Sequence, residues 1–176
     1  IDGVGHTPMQ DSPETFNRLL AEALVAPLPP KPAAEVPGPS QGSVVCQNFP
    51  NRRYTGRYDS ITLENCADAR IEGAQLKQLT LKSSSVTIEN TVIESDDVAL
   101  LAQRSEVTAT NVLLHGRVAI RADASRLDLA GVSLRASERG VEMPAASRLF
   151  FSVSDWQGTD YRGDAHFLWP QAAGPR

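Results

Sequence analysis

The ten residues SSVTIENTVI at positions 84–93 recur as SEVTATNVLL at 105–114, SRLDLAGVSL at 125–134 and SRLFFSVSDW at 147–156. A shorter copy, ADARIEGAQL, lies at 67–76. In each copy apolar residues alternate with polar ones, and a second short apolar run separates it from the next copy. Both kinds of run recur every 17 to 23 residues. Self-similarity with a period of this length is the signature of a repeat protein.

An alternating pattern places apolar side chains on one face of a strand, and each copy has only two or three such positions. One coil cannot bury so narrow a face, whereas stacked coils align equivalent residues about 4.8 Å apart and fill the interior with apolar ladders. We therefore predict an all-β fold, a right-handed parallel β-helix of about five short coils over residues 43–157, preceded by a short α-helical segment. The alternative is an antiparallel sandwich of short strands, but no Asn-Gly or Asp-Gly hairpin signal separates the runs.

The corners and ends of such a stack also have sequence signals. Asn90, Asn111 and Gly131 share one place in successive copies, which predicts a left-handed corner or a ladder of Asn hydrogen bonds. Both open ends of a solenoid must be covered. We assign this role to two aromatic groups, with stacking on a sugar as the alternative. The groups are Phe49, Tyr54 and Tyr58 at one end, and Phe150, Phe151, Trp156, Tyr161, Phe167 and Trp169 at the other.

Composition divides the chain into four segments. Residues 1–25 combine a loop with a helix, residues 26–42 are a linker rich in Pro and Ala, residues 43–157 are the β-helix, and residues 158–176 are a C-terminal cap and tail. The net charge of −4, with both signs mixed along the chain, argues against a nucleic-acid partner, which requires a basic face. No apolar run approaches the about 20 residues that span a bilayer. Because the sequence opens on Ile1, we expect a piece of a longer protein.

Two cysteines, Cys46 and Cys66, lie one repeat period apart near the first coil. Equivalent positions on adjacent coils can satisfy the about 5.5–6 Å Cα separation that a disulfide prefers. The spacing therefore predicts a Cys46–Cys66 disulfide, which fits a periplasmic or exported protein. Free buried thiols in a cytoplasmic protein are the alternative.

Residues 3–24, GVGHTPMQDSPETFNRLLAEAL, combine a Gly-flanked His6 with an amphipathic helix whose start is marked by Asp11, Ser12 and Pro13. This stretch resembles the C-terminal end of α/β-hydrolase-fold enzymes, where such a loop holds the catalytic His and a last helix follows. The resemblance implies that His6 is the general base of a Ser–His–Asp triad.

The rest of that triad is expected outside this chain. We predict no G-x-S-x-G nucleophile elbow in this chain, and the preceding strands and the triad acid are also missing. A triad needs the Ser hydroxyl within hydrogen-bond reach of the His. The resemblance therefore implies an upstream hydrolase domain as partner, an ester or lipid hydrolase of bacterial type. We expect no esterase activity from this chain alone.

A second candidate site lies within the coils. Asp96 and Asp97, followed one coil later by His115-Gly116, are similar to the acidic pair and His-Gly of pectin-cleaving glycoside hydrolases, which share the pectate-lyase-like β-helix class. An inverting glycosidase needs two carboxylates about 6.5–9.5 Å apart. A third Asp on the preceding coil and the Arg-x-Lys substrate clamp of those enzymes are absent. The alternative is structural: Asp97 and Arg117 occupy the same turn on adjacent coils and form an exposed ion pair.

No metal site or cofactor is expected, because His6, His115 and His166 are isolated from one another and from Cys. The arginines of the late coils are interpreted as a solvated face balanced by acidic residues, with an anionic-polysaccharide groove as the alternative. They are Arg104, Arg117, Arg121, Arg126, Arg135, Arg139 and Arg148.

Three functions follow from these patterns. The leading hypothesis is a C-terminal accessory β-helix module, binding or spacing in role, of an α/β-fold ester or lipid hydrolase. The second is an independent β-helix glycoside hydrolase or carbohydrate-binding module that acts on an anionic polysaccharide. The third is a structural envelope protein.

Overall fold

The computed structural model describes residues 14, 15, 17, 18, 38–152, 155–157 and 161–168. The chain divides into two units, Ile1–Pro30 and Lys31–Arg176. In the first unit the four described residues are helical. His6 and the rest of the predicted helix lie outside the described residues. None of the described helical residues belongs to a helix long and apolar enough to cross a membrane.

The described residues of the second unit form ten parallel-paired strands. They are β1 (Ser43–Gln47), β2 (Arg53–Glu64), β3 (Ala69–Lys82), β4 (Ser85–Glu94), β5 (Val98–Gln103), β6 (Glu106–Asp123), β7 (Arg126–Ala130), β8 (Ser133–Ser152), β9 (Asp155–Gln157) and β10 (Tyr161–Leu168).

The strands wind into a β-solenoid of about five turns. Each coil contributes three strand segments, one to each face of the solenoid. On the middle coil, formed by β6, they are the first face (106–110), the second face (112–116) and the third face (118–123). These segments pair with 85–89, 91–94 and 98–103 of the coil before, respectively. Every described pairing is parallel, so the β-helix prediction is confirmed and the antiparallel sandwich is wrong.

Apolar ladders fill the interior of the coils. On the first face Ile71, Ile88, Ala109, Leu129 and Phe151 are successive register partners, and all are buried. A corresponding ladder on the second face consists of Leu76, Ile93, Leu114 and Leu134. Burying such a side chain contributes about 1.5–3 kcal/mol, so the ladders are the main stabilising feature of the stack.

A row of buried hydroxyls marks the corner between the third and first faces, here named the serine corner and formed by Ser84, Ser105, Ser125 and Ser147. The backbone N–H of Ser105 donates to Ser125 Oγ at 3.1 Å, and the N–H of Ser84 donates to Ser105 Oγ at 3.2 Å. The hydroxyls of Ser84, Ser105 and Ser125 also donate to the carbonyl two residues before them, as Ser105 Oγ does to Gln103 at 2.7 Å, whereas Ser147 Oγ donates to the Ala122 carbonyl at 3.4 Å. The row thereby supplies hydrogen-bond partners to backbone N–H and C=O groups at a tight corner, where the strand pairing is interrupted.

The corner between the first and second faces has the predicted left-handed geometry. Asn90 and Asn111 have φ values of 48° and 53°, and Gly73 and Gly131 have 56° and 63°. The Asn111 Nδ2 donates to Asn90 Oδ1 at 2.7 Å. Both parts of the corner prediction, left-handed residues and an Asn hydrogen bond between coils, are confirmed.

The corner between the second and third faces requires Gly116. A Cβ at this position would lie 2.9 Å from the backbone oxygens of both Asp97 and Val118. Because these oxygens belong to hydrogen-bonded backbone, they cannot move away cheaply. We expect Gly116→Ala to lower the free energy of unfolding by about 1–3 kcal/mol. Urea denaturation checks this. Gly73→Ala serves for comparison, because a Cβ added there has open space around it although its φ is left-handed. An unchanged denaturation midpoint for Gly116→Ala would refute the close approach.

Aromatic residues close the N-terminal end of the core as predicted, but not all of them take part. Tyr54 and Tyr58 are buried, with their rings edge to face and centroids 6.1 Å apart. Phe49 is 56% exposed. At the other end Phe151 is buried, whereas Phe150 points outward beneath the Arg126 guanidinium, 4.9 Å from its ring centroid. The capping assignment is therefore wrong for Phe150, because neighbouring strand residues point to opposite sides.

The Cys46–Cys66 disulfide is present, with a Cα–Cα separation of 6.6 Å. The two residues are not stacked equivalents, because the register partner of Cys46 is Leu63. Cys66 instead begins the serine corner, since its backbone N–H donates to Ser84 Oγ at 3.0 Å. The disulfide thus fastens β1 to the first corner of the following coil.

Candidate functional sites at the coil corners

Asp96, Asp97 and His115 lie together at the corner between the second and third faces. The backbone N–H of Ser95 donates to the His115 carbonyl at 2.8 Å, and that of Val118 donates to the Asp97 carbonyl at 2.9 Å. The three candidate side chains are exposed. The structure therefore brings them onto adjacent coils, on the outside of the corner.

The Asp97 carboxylate is bound by the next coil. Arg117 Nε donates to Asp97 Oδ1 at 3.1 Å, and Arg117 Nη1 donates to Glu138 Oε2 at 2.6 Å. Hydrogen bonds from Arg117 to Asp97 and Glu138 raise the pKa of the guanidinium above its ordinary value. The ion pair predicted between Asp97 and Arg117 is confirmed, and it extends over three coils.

This arrangement does not resemble an acid and base pair. A carboxyl that donates a proton at neutral pH needs an environment that raises its pKa, as an apolar pocket does. Asp97 is exposed and hydrogen-bonded to a guanidinium instead. On the coil directly before that of Asp97 this corner carries Lys77, whose Nζ lies 2.8 Å from Asp59 Oδ1 one coil earlier. The described residues at the corner form rows of exposed ion pairs.

A second ion-pair group joins Glu142 to Arg121 and Arg139. Arg121 Nη2 and Arg139 Nη1 each lie 2.6 Å from a Glu142 carboxylate oxygen, and this side chain is only 16% exposed. Burial raises the pKa of Glu142, but hydrogen bonds from Arg139 and Arg121 outweigh it and hold the pKa below the ordinary value of 4.5.

A depressed carboxyl pKa gives a defined pH dependence. Glu142 contributes stability above about pH 4.5, and this contribution is lost as the pH falls through its lower pKa in the folded protein. We expect the midpoint temperature of thermal unfolding to decrease as the pH is lowered below about 4.5. Glu142→Gln should flatten this part of the dependence of the midpoint on pH. Thermal melts between pH 2.5 and 7 measure it; equal slopes for both proteins would contradict the assignment.

Residues 38–42, GPSQG, require a correction. They match the letters of the G-x-S-x-G pattern, although no elbow is predicted there. In the elbow a strand turns sharply into a helix and exposes the Ser. Here residues 38–42 lead directly into strand β1, and Ser40 Oγ accepts a hydrogen bond from the Gly42 N–H at 3.1 Å. The match is therefore a turn at the start of the solenoid and not a nucleophile elbow.

The remaining histidines carry no described site. His6 lies outside the described residues, and for His166 only the backbone, paired with Arg148, is described. Among the residues that the structure describes, no group of three or more His, Cys, Asp or Glu side chains could hold a metal ion.

A basic groove lies along the outer side of the serine corner. It encloses about 430 Å³ and is lined by Arg104, Arg126 and Arg148, with Glu106 as the acidic member. Glu106, Arg126 and Arg148 are register partners on three successive coils, and Arg104 lies in the turn before Glu106. All four side chains are exposed.

These arginines differ from three others on the late coils. Arg117, Arg121 and Arg139 pair with carboxylates, as predicted for a balanced face. Within the described part of the chain, the three arginines of the groove have no carboxylate within 4.0 Å; Arg104 Nε contacts Ser83 Oγ at 3.4 Å. The repeated Ser-Arg-Leu at 125–127 and 147–149 is the sequence signal that could have revealed this row.

Comparison of the chain with protein-family models, with curated protein sequences and with solved structures finds no match. The resemblance of residues 3–24 to α/β-hydrolase-fold enzymes therefore stays a prediction, whereas the parallel β-solenoid rests on the structure itself.

Proposed function

We propose that this chain is the non-catalytic, C-terminal β-helix module of an α/β-hydrolase-fold ester or lipid hydrolase, with a binding or spacing role. The observation that carries the non-catalytic part is the hydrogen bonding of Asp97 to Arg117 at an exposed corner. The candidate carboxylate is thereby used to join coils. Support for the hydrolase part comes from His6 and the sequence pattern of residues 3–24.

The architecture suits a module of this kind. Backbone ladders and the serine corner hydrogen-bond neighbouring coils to each other, which supports a spacing role for the stack. The Pro-rich composition of residues 26–37 is typical of a tether. The Cys46–Cys66 disulfide favours an oxidising location, which supports a periplasmic or exported protein.

The hydrolase part is tested by reading the coding sequence upstream of Ile1. We expect a strand–G-x-S-x-G–helix pattern and an acidic triad residue in the same frame. In the protein that contains them, His6→Ala should reduce ester hydrolysis by about 10³-fold or more. A reading frame without that pattern, or full activity in His6→Ala, would overturn the assignment.

The present chain supplies the matched control. It should hydrolyse no p-nitrophenyl ester above the buffer rate, because a triad needs a nucleophile and an orienting acid beside the His, and we place both in the upstream domain. Ester hydrolysis by this chain that Ser40→Ala abolishes would contradict both the proposal and the structural interpretation of residues 38–42.

A further inference from the structure

We propose that the basic groove at the serine corner binds an anionic polysaccharide along the solenoid axis, an inference that rests on the binding role proposed above. The groove presents three exposed guanidiniums against one carboxylate, on a chain whose overall formal charge is −4. A local basic row on an acidic protein selects for a polyanion at that row and repels it elsewhere.

The spacing of the row favours a linear polymer with one anionic group per monomer. Arg126 and Arg148 are register partners on adjacent coils, so their backbones lie about 4.8 Å apart. Arg104 extends the row toward the preceding coil. A chain of uronate or sulfated sugars, whose pyranose rings are comparable in length to this repeat, can place successive charges beside successive coils. Duplex DNA has a much denser charge, about one per 1.7 Å.

The residue type agrees with this ligand class. A guanidinium forms two parallel hydrogen bonds with a carboxylate or sulfate, and its geometry is fixed by the planar fork. Arg126 is also held in place, because its guanidinium lies 4.9 Å from the Phe150 ring centroid. Holding the side chain reduces the ordering cost of binding. The groove continues on the preceding coils past Arg104 to Ser83 and Asn65, which can donate hydrogen bonds to sugar hydroxyls.

The test uses titration calorimetry of the full 176-residue chain at low ionic strength with polygalacturonate and with chondroitin sulfate. We expect saturable binding to at least one polyanion, weakening with salt, and none to fully methyl-esterified pectin. Each guanidinium removed should weaken binding about tenfold, so Arg126→Gln/Arg148→Gln should reduce the affinity by about 100-fold. Glu106→Gln should strengthen it.

The matched control is Arg57→Gln/Arg70→Gln, which removes the same charge from two exposed arginines on the early coils. It should retain the affinity, and circular dichroism should show that both double variants fold. No binding to either polyanion, or equal weakening by the control, would overturn the proposal. Tighter Arg126- and Arg148-dependent binding to DNA or anionic vesicles would overturn the ligand class. Because none of these results depends on an upstream hydrolase, a missing hydrolase domain would leave this binding result intact.

Discussion

Replacement of Leu114 by alanine is expected to lower the free energy of unfolding by about 2–5 kcal/mol. Leu114 is buried on the second face, with Ile93 and Leu134 as register partners on the coils before and after it. Truncation leaves a hole between two coils whose spacing is set by backbone hydrogen bonds. The coils cannot collapse into it, which places the cost toward the upper part of that range.

Urea denaturation followed by circular dichroism measures this loss. The matched control is Leu101→Ala, which removes the same atoms from a half-buried position on β5 and should cost about 1 kcal/mol or less. Equal losses for both variants would contradict the assignment of Leu114 to a rigid internal ladder.

Removal of the Cys46–Cys66 disulfide is the second large expected effect. A crosslink between residues 20 apart in sequence restricts the unfolded chain, and its loss should cost about 3 kcal/mol. The variant Cys46→Ala/Cys66→Ser tests this, and it keeps the backbone N–H of residue 66 that donates to Ser84 Oγ.

Reduction provides the control for that variant. Dithiothreitol should lower the midpoint of the wild-type protein to that of the double variant and leave the variant unchanged. The disulfide would be contradicted if both thiols reacted as free in unfolded protein that had not been reduced. It would also be contradicted if the reductant left the denaturation midpoint of the wild type unchanged.

Much of the fold could be predicted because aligning the repeats shows which residues are register partners on successive coils. Alignment of Asn90 with Asn111 already placed the left-handed corner, and alternation of Val, Ile and Leu placed the ladders. Ser84, Ser105, Ser125 and Ser147 are aligned in the same way, but a hydroxyl row of this kind has no signal beyond recurrence. Its role appears only when the coil spacing brings each hydroxyl to the N–H of the coil before.

The candidate sites were less predictable because pairing between coils depends on side-chain direction. The Asp97–Arg117 pair follows from the repeat, since both occupy one turn. The difference between Arg121, which pairs with Glu142, and Arg126, which has no carboxylate within 4.0 Å among the described residues, does not follow from the repeat. Both lie on late coils beside acidic residues. The sequence GPSQG at 38–42 is a similar case. A G-x-S-x-G pattern indicates a nucleophile elbow only where it joins a strand to a helix.

We propose that the coils bind or space rather than cleave. Release of reducing ends from polygalacturonate by the full chain tests it most directly, in wild type and in Asp97→Asn. We expect no release above the blank from either protein, because Asp97 is hydrogen-bonded to Arg117 rather than set opposite a second acid. Release by the wild type that Asp97→Asn abolishes would contradict it and would establish a glycosidase at the Asp96, Asp97 and His115 corner.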